Sequence, residues 1–81
     1  MEFEVKMPRL GEEMVEGAIE EWLKEEGDRV NEGEALLLVE TGKAVVEVES
    51  EVTGILKKIL IPEGTENIPI GEVIAIIEIE D

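Results

Sequence analysis

The 81-residue chain contains no cysteine and no histidine. Disulfides, thiolate nucleophiles, imidazole general bases and nearly all zinc or iron sites are thereby excluded. Aromatic residues are almost missing, with one Trp, one Phe and no Tyr. Positive charge is scarce: seven Lys and Arg stand against 22 Asp and Glu, for a formal net charge of −15. Such a field repels polyphosphates and anionic lipid surfaces, so neither nucleic acid nor membrane is an expected partner. All the acids except Asp28 and Asp81 are Glu, which argues against an Asp-rich calcium loop and leaves no metal site to expect. No apolar run approaches the roughly 20 residues of a membrane span. The opening MEFEVK lacks the basic start and apolar middle of a secretory signal, and a cytoplasmic protein is the expectation.

What is present is enough for one small core. A hydrophobic content of 43% over 81 residues predicts a single domain spanning residues 1–81. A core of that size builds no deep cleft, so carrying or binding is favoured over catalysis. A monomeric, non-enzymatic domain is expected.

The chain repeats itself. Val15-Glu16-Gly17 realigns with Val52-Thr53-Gly54, and the stretch from Gly17 to Gly27 has the same length as that from Gly54 to Gly64. Leu23 falls over Leu60 and Glu26 over Glu63. After a one-residue slip, Gly33-Glu34 realigns with Gly71-Glu72, and Glu40 with Glu78. Apolar matches arise by chance, so the weight rests on the glycines, which mark special backbone conformations or close approach. Two copies are too few for a solenoid and predict a pseudo-two-fold single domain.

Each copy reads as strands and turns. Phe3, Val5 and Met7 alternate with Glu2, Glu4 and Lys6; Leu36 to Val39 and Val73 to Ile77 are short apolar runs closed by Glu; Val46 and Val48 alternate with Glu47 and Glu49. The segment Ala18, Ile19, Trp22, Leu23 is spaced like a helix face, but it lies between Gly17 and Gly27 and its repeat mate, Ile55 to Ile61, is Ile-rich and ends at Pro62. Both are therefore read as strands. The fold class expected is all-β, a flattened barrel or sandwich of two short antiparallel sheets with internal pseudo-two-fold symmetry. Trp22 and Phe3 are expected as core anchors, and Met7 and Met14 as core filler.

Between Leu36–Val39 and Val45–Val48 lies Glu40-Thr41-Gly42-Lys43-Ala44. Two apolar strands joined this closely make a tight hairpin with Lys43 at or beside its tip. A turn lysine is usually only a solvated charge. Here it is the sole lysine between Lys24 and Lys57, and the repeat equivalent of its turn falls at the end of the chain. Acylation would convert its amine to a neutral amide at the end of a long flexible stem. Such an arm delivers a group to several active sites at high effective concentration.

These residues resemble the lipoyl domains of 2-oxo acid dehydrogenase acyltransferases, of pyruvate or acetoin type, over nearly the whole chain. The resemblance rests on Met7-Pro8, Leu10-Gly11-Glu12, Met14, Glu16-Gly17 and Trp22, then Glu26-Gly27-Asp28, Val30 and Gly33. Val39-Glu40-Thr41, Lys43-Ala44, Gly54, Pro62-Glu63-Gly64 and Ile70-Gly71 complete it. It implies a barrel-sandwich hybrid fold with lipoic acid carried covalently on Lys43. Glu40, Thr41, Gly42 and Ala44 would form the presenting turn, with Glu40 helping the lipoyl-attaching enzyme to recognise it. The implied partners are that enzyme, a thiamine diphosphate-dependent decarboxylase, the acyltransferase core and dihydrolipoamide dehydrogenase. The implied cycle is reductive acylation, acyl transfer to coenzyme A and reoxidation by a flavin enzyme. The family residue before the lysine is usually Asp and here is Gly42, so lipoylation is expected to persist while acylation by the decarboxylase weakens.

Two alternatives accompany this reading. A biotin carrier shares the fold but usually sets its lysine between two methionines, whereas Gly42 and Ala44 flank Lys43. An unmodified adaptor of the same fold would leave Lys43 bare.

Overall fold

A computed structural model describes residues 1–80 of the chain and contains eight strands: β1 (Glu2–Lys6), β2 (Glu16–Trp22), β3 (Arg29–Val30), β4 (Ala35–Glu40), β5 (Val45–Glu49), β6 (Gly54–Ile59), β7 (Ile68–Pro69) and β8 (Val73–Ile79). They form two four-stranded antiparallel sheets, ordered β1-β8-β6-β3 and β5-β4-β2-β7. This is the flattened all-β sandwich the alternating patterns predict. The two-residue strands β3 and β7 are additions that no sequence periodicity of that length could announce.

Moving every strand four places along the chain converts one sheet order into the other, and the symmetry extends to single bonds. Gly27 N–H donates to Leu56 O and Gly64 N–H to Ile19 O, both at 2.7 Å. Gly33 N–H donates to Ser50 O at 2.8 Å and Gly71 N–H to Met7 O at 2.9 Å. All four glycines have φ between 90 and 96°, so the glycine match in the sequence reflects a matched backbone.

The apparent helical spacing in β2 has a geometric cause. The pairing of β2 with β4 shifts between Ile19 and Glu21, and that of β6 with β8 shifts at the equivalent place, between Leu56 and Lys58. One extra residue in each strand changes which face the next side chain meets. Ile19 and Trp22, three apart, thus both turn inward, as do Leu56 and Ile59.

Between the sheets lies one apolar cluster in which Val30, Leu36, Leu37, Val39, Leu56, Ile74, Ala75 and Ile77 are at most 1% exposed. Met7 and Met14 belong to it, while Phe3 and Trp22 are half-buried and pack against its margin. Those two anchor the rim of the core rather than its centre. Trp22 also donates its indole Nε1–H to Ile61 O at 2.9 Å, giving its polar edge a partner.

The halves differ in the segment between Met7 and Gly17. Met7 and Ser50 occupy equivalent positions, accepting from Gly71 and Gly33, yet Met7 precedes Gly17 by ten positions and Ser50 precedes Gly54 by only four. The surplus forms the loop around residues 8–15, which has no counterpart in the second half.

Candidate functional site

The β4–β5 hairpin closes where Glu40 pairs with Val45. Across the turn, Thr41 N–H donates to Ala44 O at 2.9 Å. The Thr41 hydroxyl supplies a second clasp: it accepts from Ala44 N–H at 3.3 Å and Lys43 N–H at 3.4 Å, and donates to Ala44 O at 3.3 Å. Short polar side chains bond their own backbone in this way and hold a turn in shape.

Gly42 is the one turn residue with positive φ, at 97°. That excludes the I′ hairpin, which needs positive φ at both central residues. Glu40 folds its carboxylate back to accept Gly42 N–H at 2.9 Å. The interaction visible for Glu40 is therefore within the turn, where it braces the residue next to the lysine. Glu40, Thr41, Gly42 and Ala44 thus all gather about Lys43.

The Lys43 side chain is 86% exposed, and its Nζ lies 3.7 Å from Glu13 Oε1 on the 8–15 loop, itself 88% exposed. An ion pair so open to water fixes little. The amine is open to a modifying enzyme.

Two grooves flank the hairpin. One, of about 320 Å³, is bordered by Glu16, Glu40, Glu66 and Asn67 and is polar. The other, of about 670 Å³, runs between the 8–15 loop and the hairpin, and Leu10, Met14, Ala44, Val46 and Lys43 line it. Sequence reasoning gave no role to Leu10 or Glu13. The unequal spacing of Met7–Gly17 and Ser50–Gly54 marks an addition to one repeat only, but the equivalence of Met7 and Ser50 appears only in the structure.

A pseudosymmetric β-sandwich that presents a lysine on an exposed hairpin has the form of an attachment domain for a swinging prosthetic group. The model of the family described as biotin-requiring enzyme, the biotin/lipoyl family, matches residues 3–77. The chain belongs to that family.

Its relatives place it on the lipoyl side. It is 51% identical over 76 residues to the dihydrolipoyllysine-residue acetyltransferase component of the pyruvate dehydrogenase complex of Zymomonas mobilis, covering 94% of this chain and 17% of that protein. It is 53% identical over 79 residues to component 2 of the mitochondrial counterpart in Arabidopsis thaliana, covering 96% of this chain and 15% of that protein. The chain thus spans under a fifth of these relatives. Among solved structures it resembles the lipoyl domain of the 2-oxoglutarate dehydrogenase complex from Azotobacter vinelandii, with a TM-score of 0.73, 27% identity, and coverage of 95% of this chain and 98% of that one.

Proposed function

We propose that Lys43 is the site of lipoyl attachment and that the domain carries acyl groups and reducing equivalents among the active sites of a 2-oxo acid dehydrogenase complex of the pyruvate type. The observation that carries this reading is the 86% exposed Lys43 side chain on a hairpin tip clasped by Thr41 and braced by Glu40. The relatives' names, which specify a dihydrolipoyllysine residue and a pyruvate dehydrogenase complex, support the choice of cofactor and assembly.

The residues fit the group. Its attachment needs a reachable primary amine, which Lys43 offers, and a turn firm enough to be read by the attaching enzyme. When bound, the lipoyl group would supply a dithiolane able to accept an acyl group with two electrons. The protein's share is positioning: the four-carbon lysine stem extends the reach, and the turn fixes the point from which it swings. The partners in this reading are the attaching enzyme, the thiamine diphosphate-dependent decarboxylase, the acyltransferase core and dihydrolipoamide dehydrogenase. The domain itself catalyses no step.

Intact mass after expression in cells supplied with lipoate and biotin tests the reading. One lipoyl increment, absent from Lys43→Ala, is the expected result. A biotin increment, or a bare and folded protein in the presence of an active lipoyl ligase, would overturn it.

A further inference from the structure

We propose that the groove between the 8–15 loop and the hairpin is a resting berth for the acyl arm borne by Lys43, in which the uncharged chain lies against Leu10, Met14 and Val46 until a partner enzyme draws it out. The inference rests on the attachment reading above and adds to it where the arm resides between visits.

Three observations point the same way. First, the 8–15 loop breaks a symmetry that elsewhere holds for many backbone bonds, and it does so against the Lys43 turn. Ordering extra residues costs conformational entropy, so a segment absent from the sister repeat calls for a local use. Its apolar members are arranged for one: Met14 is buried with its sulfur accepting Leu10 N–H at 3.2 Å, while Leu10 remains 36% exposed along the groove.

Second, the lysine already leans over the groove. Its side chain lines the depression and brings Nζ to 3.7 Å from Glu13 on the far wall. An arm prolonging that stem starts from the edge of the groove.

Third, the lining holds partners for the modified lysine as well as for the free one. Acylation removes the positive charge and leaves an amide N–H, for which Glu13 is an acceptor in place. The chain beyond it is apolar and meets Leu10, Met14, Ala44 and Val46, which share the lining with Glu12, Glu13 and Thr41. The groove volume of 670 Å³ falls within the range of about 300–1,000 Å³ typical of small-ligand sites.

The test uses two samples. One is the domain loaded by a lipoyl ligase with carbon-13-labelled lipoate. The other is Lys43→Cys alkylated with an octyl iodoacetamide, which installs an apolar arm without the ligase, the chain having no cysteine of its own. Nuclear Overhauser contacts from either arm to the methyls of Leu10, Met14 and Val46 are expected. Reduction of the lipoyl disulfide by a water-soluble phosphine should be about fivefold slower than for free lipoamide, the ratio for an arm docked about four-fifths of the time. Leu10→Asp, at a position already partly exposed, should restore the free rate while the β-sheet spectrum is unchanged. Arms that give no contacts, with reduction as fast as lipoamide, would overturn the berth while leaving attachment intact. A bare Lys43 with contacts from the cysteine-linked arm would overturn attachment and support the groove.

Discussion

Glu26 and Glu63 exchange services across the pseudo-two-fold axis: the carboxylate of Glu26 accepts Ile59 N–H at 2.7 Å, and that of Glu63 accepts Trp22 N–H at 3.0 Å. The outer edges of β2 and β6 need this help because β7 and β3 are two residues long and cover only their first residues, Glu16–Gly17 and Gly54–Ile55. Each half therefore satisfies the open edge of the other with a side chain where strand pairing has run out.

Replacing either acid by Ala should lower stability by about 0.5–1.5 kcal/mol, the usual net worth of one hydrogen bond. Both acids border the depression that contains Trp22 and Ile59, so like charges are relieved when one is removed. The repulsion can be relieved only once, so the double variant should lose more than the sum of the single losses, as measured by urea denaturation. A single variant more stable than the parent would show that this repulsion outweighs the bonds.

Gly54 and Gly17 are repeat mates with different tolerance. A Cβ at Gly54 would lie 2.1 Å from Glu78 O, in the backbone of the neighbouring strand. At Gly17 it would meet the flexible Met14 Cε at 2.8 Å and Met7 Sδ at 3.2 Å. Gly54→Ala should therefore destabilise by more than about 4 kcal/mol and yield little folded protein, while Gly17→Ala should cost about 1–3 kcal/mol through repacking. Equal losses in parallel urea titrations would contradict the assignment of close backbone approach to Gly54 alone.

At Gly42 the constraint is conformational only, since a Cβ there would meet nothing within 4 Å but φ is 97°. Gly42→Ala and Gly42→Asp are each expected to lose about 1–2 kcal/mol. For a domain of this size that corresponds to a fall in Tm of about 4–8 °C per kcal/mol. Calorimetry of the two variants decides the matter, and an unchanged Tm would mean that the turn relaxes to a different geometry.

Acid should weaken particular bonds in a predictable order. The backbone N–H of Asn31, with a smaller contribution from Lys24, holds the Glu34 carboxyl below the usual glutamate range. Hydrogen bonding to Arg29, at 2.7 Å, and its charge do the same for Glu80. A carboxyl whose folded-state pKa is depressed contributes stability above its unfolded value, and that contribution disappears as pH falls through the folded one. The loss should start near the ordinary glutamate value of about 4.3 and continue below it. Glu34→Gln and Glu80→Gln should each flatten the decline of Tm below that pH relative to the parent. The comparison isolates these groups from the general relief of repulsion among the 22 acids.

Much of this architecture was legible in the residues. The alternation around Val5 and around Val46 and Val48, the glycine-matched repeat, and the turn carrying Lys43 are all local features of pattern or spacing. Leu36–Val39 and Val73–Ile77 likewise read as buried strands. The helix-like spacing of Ile19 and Trp22 misleads because periodicity assumes a regular strand, and a bulge is a property of two paired strands rather than of one. Strands β3 and β7 escape because pairing defines them. Glu13 and Leu10 escape because their meaning lies in contact with residues about thirty positions away. The clasp made by Thr41 is written in its side chain, whereas the bond from Gly42 to Glu40 emerges only with the positive φ.

The bond that closes the lysine turn, Thr41 N–H to Ala44 O, has a twin in Ile79 N–H to Met1 O at 2.8 Å. Where one repeat makes a hairpin, the other brings the first and last strands together through space. Any polypeptide joined at residue 1 or after residue 80 therefore departs from a single spot, and symmetry puts that spot across the axis from Lys43. The domain is in effect a lever with its fulcrum at one pole and its load at the other. Rotation about such a tether would sweep Lys43 through an arc, whereas a tether beside the hairpin would leave the lysine almost stationary, so the folded body would lengthen the stroke of any arm attached there.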